Sequence, residues 1–95
     1  MLFQFGRCVQ TSGVAHESNN SPEFALNVRK CLNRHLSGDW GDLCDDDKKL
    51  NDEAVKNEDR ILSAYNLNTS EGDNKIYIIT EWDRSVTTVL FPSEY

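Results

Sequence analysis

Carboxylates crowded around one tryptophan are the residues of this sequence best suited to chemistry or binding. Residues 36–47 read Leu-Ser-Gly-Asp-Trp-Gly-Asp-Leu-Cys-Asp-Asp-Asp, a segment that we call the acidic bend. Carboxylates this close repel one another, and a tryptophan in a loop rarely stays in water without a pocket to fill. The pattern predicts that the acidic bend folds back onto the core through its tryptophan, faces a partner, or does both. Its key residues are Asp39, Trp40, Asp42, Asp45, Asp46 and Asp47.

A calcium site is one chemistry to weigh for the acidic bend. Calcium-binding loops need oxygen ligands at alternating positions, a central glycine and a glutamate at position twelve. A loop that starts at Asp42 places the thiol of Cys44 among the ligands, and one that starts at Asp45 meets Lys49. Neither frame contains the glycine, so helix capping and a solvated acidic face are the favoured interpretation.

A metal-dependent enzyme or nuclease accessory factor is the alternative function, built on carboxylates from two parts of the chain. Glu81 and Asp83, with Asp73 and Lys75 of the preceding hairpin, could hold a magnesium ion beside a phosphate. The enzyme alternative would use Asp39 and Asp42 of the bend with Glu81 and Asp83. The negative net charge would repel a nucleic-acid substrate. The simpler interpretation is that Asp83 starts a turn and that Glu81 pairs with an arginine, either Arg60 or Arg84.

Two side-chain pairs near the end of the first predicted helix complete the candidates. His35 and Cys44 could form a base and a nucleophile, but nothing in their spacing enforces it, and a structural histidine is the commoner case. Arg34 lies close in sequence to Asp39 and Asp42. A charge-assisted hydrogen bond from its guanidinium to one of these carboxylates would hold the bend in place.

Length and charge narrow the classes of protein further. The 95 residues predict one domain, 1–95, and the net charge of −6 argues against direct binding to nucleic acid or to an anionic membrane. A basic protein is the better partner, and no cofactor or metal is expected. Cys8, Cys31 and Cys44 are odd in number and widely spaced, which is typical of reduced thiols in a cytoplasmic protein.

The N-terminal half is predicted to hold one strand and the two helices that flank the acidic bend. A strand is expected over 2–11, followed by a turn at 12–13 and a polar loop over 16–21. Ser21-Pro22 is a strong helix start, and apolar residues at spacings of three and four predict a helix that Gly38 closes. A second helix is expected over 46–56, with Asp45 as its cap and Leu50 and Ala54 as its apolar side.

The C-terminal third reads as three strands, over 60–67, 75–82 and 86–91. A polar hairpin connection over 68–74 and a short turn at 83–85 join them, and Pro92 ends the last strand. The β-α-α-β-β-β order predicts an α+β fold: a single small domain with a mostly antiparallel sheet packed by helices. The first strand is expected at the edge of this sheet.

Four segments, read together, resemble a family of small bacterial proteins. They are Arg34-His-Leu-Ser-Gly-Asp-Trp-Gly-Asp-Leu43, Asn51-Asp-Glu-Ala54, Arg60-Ile-Leu-Ser-Ala-Tyr65 and Ile79-Thr-Glu-Trp-Asp-Arg-Ser-Val-Thr-Thr88. The family is catalogued as plasmid-related, and sometimes as type I restriction subunits. The resemblance covers residues 34 to 95, and the family usually carries a small residue where Trp82 stands here. It implies a mobile genetic element as context, and small acidic proteins from such elements often block host defence machinery.

The leading hypothesis is therefore a small, acidic, non-enzymatic protein-binding module from a mobile element. It would act through an acidic surface as an anti-CRISPR or anti-restriction inhibitor, with electrostatic steering and Trp40 as a desolvated anchor. A housekeeping accessory protein, in which Trp40 serves only the fold, is a further alternative. The predicted partner-binding residues are Asp39, Trp40, Asp42, Asp45, Asp46, Asp47, Asp52, Glu53 and Glu58.

Overall fold

The secondary structure follows the predicted α+β order with one additional helix. The computed structural model describes residues 2–67 and 75–95, so the predicted connection over 68–74 lies outside the described residues. The elements, in chain order, are β1 (Arg7–Gln10), α1 (Ser12–Asn20), α2 (Pro22–Leu36), α3 (Asp45–Asn57), β2 (Ile61–Asn66), β3 (Lys75–Thr80), β4 (Val86–Leu90) and a 3-10 turn (Pro92–Glu94).

The strands form one four-stranded sheet in the order β1-β4-β3-β2. The β2–β3–β4 meander is antiparallel, as predicted. β1 lies at the predicted edge position but runs parallel to β4, with Arg7 opposite Val86, so the sheet is mixed. A parallel pair requires a long connection, and the three helices between β1 and β2 provide the chain length for it.

β1 is shorter than the predicted strand because a glycine turns the chain just before it. Gly6 has a φ of +64°, and a Cβ atom there would lie 2.3 Å from the backbone oxygen of Arg84. The two backbones approach too closely here for any side chain at this position. The strand therefore begins at Arg7, and residues 2–5 are irregular.

The predicted turn and polar loop after β1 are wrong, because Ser12–Asn20 forms helix α1. Its N-terminus is capped from the other end of the chain. The carboxylate of Glu94 accepts hydrogen bonds from the Thr11 hydroxyl, at 2.6 Å, and from the Gly13 backbone N–H, at 3.0 Å. A carboxylate at this place satisfies free N–H groups and the positive end of the helix dipole.

Glu94→Ala is therefore expected to lower the free energy of unfolding by about 1 kcal/mol, the usual cost of losing a helix cap. Urea denaturation followed by circular dichroism measures it. Glu53→Ala, which removes an exposed carboxylate from the middle of α3, is the matched control and should change stability by less than about 0.5 kcal/mol. Equal effects of the two substitutions would mean that Glu94 does not cap α1.

Helix α2 confirms the prediction in its start, its buried face and its end. The Ser21 hydroxyl accepts a hydrogen bond from the Phe24 N–H at 3.2 Å, and Pro22 occupies the first turn. Gly38 follows the helix with a φ of +86°. The buried stripe of α2 packs onto the sheet in a core that contains Phe24, Val28, Cys31, Tyr65, Ile76, Ile78 and Val89.

Helix α3 has nearly the predicted bounds but turns a different face inward. Asn51 and Ala54 are buried, whereas Leu50, predicted as part of the apolar side, is 62% exposed. Cys44, not Asp45, occupies the N-cap position, and the Cys44 side chain makes no capping hydrogen bond. Among the described residues, none of the helices has the length and apolar character needed to cross a membrane.

Candidate functional site

Trp40 is a core residue, and it draws the acidic bend onto the domain as predicted. Its side chain is only 3% exposed and packs in a cluster with Ala54 and Ile61. Its indole Nε1 donates a hydrogen bond of 2.9 Å to the carboxylate of Asp52, so α3 supplies both apolar and polar contacts. The assignment of Trp40 to the partner-binding surface is wrong, since the ring is not accessible in the folded domain.

The predicted bond between Arg34 and the bend is confirmed. The guanidinium donates to both carboxylate oxygens of Asp39, at 2.8 and 3.2 Å, and the Gly41 N–H donates to the same carboxylate at 3.1 Å. These hydrogen bonds, the one from Arg34 foremost, hold the pKa of Asp39 below its usual value. The Tyr65 hydroxyl donates a hydrogen bond of 2.7 Å to the backbone carbonyl of Asp39 and so fixes the backbone there as well.

The middle of the acidic bend lies along the outer edge of β2. The Ala64 N–H donates to the Trp40 carbonyl at 3.3 Å, and the Asp42 N–H donates to the Ala64 carbonyl at 2.7 Å. Gly41 lies between these two contacts with a φ of +75°, and a Cβ atom there would be 2.0 Å from the Ala64 oxygen. The bend thus pairs with β2 in place of a further strand, and only glycine fits at its centre.

Side chains complete this closure of the β2 edge. The Asn51 amide donates to the Leu62 carbonyl at 2.7 Å and accepts from the Leu62 N–H at 3.2 Å. The Asp42 carboxylate accepts from the Asn66 N–H at 2.9 Å. Outward-facing backbone groups along β2 are therefore hydrogen-bonded within the domain. A strand edge treated in this way is not available to pair with another chain.

The carboxylates predicted to bind a partner are all exposed, but they divide into two groups. Asp39, Asp42 and Asp52 accept the hydrogen bonds described above, so they hold the bend and α3 in place. The others project from α3 and its C-terminal end. Three of them lie in the first turn of the helix, near its positive end. This second group consists of Asp45, Asp46, Asp47, Glu53 and Glu58.

An apolar groove of about 310 Å³ runs beside these carboxylates, between α3 and β2. Its apolar lining comes from Leu43, Leu50 and Leu62, and its charged lining from Asp47 and Arg60. Leu50 is the most exposed of these leucines. The sequence pattern did not predict this exposure, because a leucine on the narrow apolar stripe of a helix is expected to face the core. The signal that could have predicted the exposure of Leu50 is the neighbouring Asn51, because its amide can both donate to and accept from the backbone of an unpaired strand edge.

The described part of the chain holds no group of three or more His, Cys, Asp or Glu residues arranged to bind a metal ion. The carboxylates of the metal-dependent alternative have separate partners instead. Asp39 is bound to Arg34, and Glu81 lies 3.8 Å from Arg60, one of its two predicted partners. Asp83 accepts from the Ser85 hydroxyl at 2.6 Å, which confirms its role in a turn.

His35 does not pair with Cys44, because it is fully buried while Cys44 is exposed. One imidazole nitrogen is hydrogen-bonded to the hydroxyl of Ser63, and the other lies 2.9 Å from the hydroxyl of Thr80. Burial lowers the pKa of His35 to about 4, so the ring is neutral at pH 7. Sequence reasoning missed this polar cluster, since its members come from one helix and two strands.

Arg84 is a second structural residue that the sequence pattern did not reveal. Its guanidinium donates to the carbonyls of Asp59, at 2.7 Å, Ala54, at 2.9 Å, and Glu81, at 3.0 Å. The Ala54 and Asp59 carbonyls belong to the C-terminal end of α3 and the segment after it, whereas Glu81 precedes the β3–β4 turn. Arg84 therefore ties α3 to the sheet instead of pairing with the carboxylate of Glu81.

The fold and the site define a small α+β domain with an acidic helix and an apolar groove along one closed sheet edge. Comparison with known protein families, curated proteins and solved structures finds no match to this chain.

Proposed function

We propose that this protein is a non-enzymatic binding module that captures a basic protein through α3 and the acidic bend. The observation that carries the proposal is Leu50, a large apolar side chain of the acidic helix α3 that is 62% exposed in a groove whose charged lining residues are Asp47 and Arg60. The proposed surface consists of Leu50 with Asp39, Asp42, Asp45, Asp46, Asp47, Asp52, Glu53 and Glu58.

The two kinds of side chain on this surface have different roles in binding. The carboxylates attract a positively charged partner over distances of about 10 Å at moderate salt, and they speed the encounter. Leu50 and the groove beside it lose water only when the partner is in place, so they contribute to the lifetime of the complex. Trp40 takes no part in the contact and instead fixes the position of α3.

The context that we propose for this binding is a mobile genetic element. The support is the resemblance of residues 34–95 to plasmid-related bacterial proteins, together with the acidic surface. Proteins that handle nucleic acid present basic grooves, and exposed carboxylates on a rigid helix suit such a groove. We therefore propose inhibition of a host defence protein, such as a CRISPR effector or a restriction enzyme, as the biological role.

Charge reversal in the first turn of α3 tests the acidic part of this surface. The triple variant Asp45→Lys, Asp46→Lys, Asp47→Lys should reduce capture of a partner from a bacterial lysate by roughly ten-fold at low salt. It should also flatten the dependence of capture on salt, because fewer screened charge contacts remain. Pull-down at two salt concentrations, quantified by mass spectrometry, measures both effects.

A matched pair of single substitutions controls for charge alone. Asp46→Lys and Glu23→Lys each reverse one exposed charge in the first turn of a helix, on α3 and α2 respectively. Only Asp46→Lys should weaken capture. Leu50→Ser should weaken it at both salt concentrations while leaving the unfolding free energy within about 0.5 kcal/mol of the parent. Capture that is unchanged in the triple variant and in Leu50→Ser would rule out this surface.

A further inference from the structure

A second groove lies at the opposite end of α3, where the helix meets the β3–β4 turn. It has a volume of about 370 Å³, and its lining includes Leu2, Val55, Glu58, Trp82, Asp83 and Arg84. Trp82 is 64% exposed and Leu2 is 55% exposed, so two large apolar side chains border it in open solvent. An exposed indole can stack on a planar cationic or aromatic group of a ligand.

Two exposed carboxylates, those of Glu58 and Asp83, line this second groove together with the neutral amide of Gln4 and the guanidinium of Arg84. Glu58 is exposed at the C-cap of α3, where the negative end of the helix dipole adds to its charge. Asp83 is exposed too, and the hydrogen bond from the Ser85 hydroxyl lowers its pKa, so it is ionised at neutral pH. The one cation in the lining, Arg84, directs Nη1 and Nη2 at backbone carbonyls of the domain.

We propose that this second groove binds an arginine side chain from a basic protein segment. A guanidinium can stack on the ring of Trp82 while its N–H groups donate to the carboxylates of Glu58 and Asp83. Arginine suits this arrangement better than lysine, because its planar fork stacks on an aromatic ring and pairs with more than one carboxylate. The inference goes beyond the proposed function, since it gives a ligand class to a second groove that shares only Glu58 with the surface proposed above.

The test is a titration of the 15N-labelled protein with a defined peptide, acetyl-Gly-Arg-Gly-Arg-Gly-amide, followed by NMR. Saturable shifts are expected at the indole N–H of Trp82 and at the amides of Glu58 and Asp83. The peptide with lysine in place of arginine should bind about three-fold or more weakly, in line with the loss of stacking. Equal affinity for the two peptides, or shifts centred on residues 45–47, would overturn the proposal.

Matched variants separate this groove from general attraction between a basic peptide and an acidic protein. Trp82→Leu and Glu58→Gln should each reduce the affinity for the arginine peptide by about three-fold. Glu23→Gln removes the same charge from the first turn of α2, outside both this groove and the surface proposed above, and should leave the affinity unchanged. A loss of affinity that is equal in Glu23→Gln and Glu58→Gln would overturn the proposal without bearing on capture through Leu50.

Discussion

Trp40→Ala is expected to lower the free energy of unfolding by about 3–5 kcal/mol, a large part of the stability of a domain this small. The substitution removes a buried ring that stacks on Phe3, at 6.3 Å between centroids, and contacts His35 edge-on at 5.8 Å. It also removes the indole N–H that donates a hydrogen bond to the Asp52 carboxylate. Urea denaturation followed by far-ultraviolet circular dichroism measures the change.

Trp82→Ala is the matched control for this substitution, because it removes the same side chain from an exposed position. Its effect on the unfolding free energy should stay within about 0.5 kcal/mol. A difference of less than about 1 kcal/mol between the two variants would show that Trp40 does not anchor the bend to the core. Partner binding by a folded Trp40→Phe variant should persist, since the proposed surface excludes this ring.

Acidification from pH 7 to pH 4 is expected to lower the stability by about 3 kcal/mol through His35 alone. Burial lowers the pKa of His35 from 6.5 to about 4. Between these two pH values His35 is protonated in the unfolded chain but neutral in the folded domain. The stability linked to His35 is complete above pH 6.5 and is lost as the pH falls from 6.5 towards 4. Urea denaturation at several pH values measures how the free energy of unfolding changes with pH.

Direct observation of the ring separates His35 from carboxylates that titrate in the same range. In an NMR titration, the imidazole C–H signals of His35 should not move between pH 7.5 and pH 5.5. A midpoint for His35 above pH 6 would contradict the lowered pKa and the closed polar cluster with Ser63 and Thr80.

Helix α2 and the β2–β3–β4 meander were predictable because their signals are local. The start of α2 is encoded by Ser21 and Pro22, and its buried face repeats at helical spacing. Helix α1 has no such signal, since its capping carboxylate, Glu94, is 83 residues away from Thr11. The parallel pairing of β1 was not predictable either, because it depends on how three helices pack between β1 and β2.

The candidate site was predictable in composition but not in orientation. The hydrogen bonds between Arg34 and Asp39 join residues only five apart in the sequence, so this pair could be proposed from opposite charges at short spacing. Packing of α3 and the bend against the edge of β2 decides that Trp40 is buried and that Leu50 is exposed. Asn51 bonds to that edge, which carries Ala54 and Trp40 into the core and leaves Leu50 outside.

The sealing of β2 by the acidic bend has a consequence for self-association. A sheet can polymerise edge to edge only if both of its borders accept a neighbour, since each added copy must offer a new border to the next. Among the strands described, β1 has a neighbour on one side only, while the other border of the sheet is occupied by the chain itself. Strand-to-strand contact between copies of this folded domain would therefore stop at a pair, and growth into a fibre along that direction is blocked.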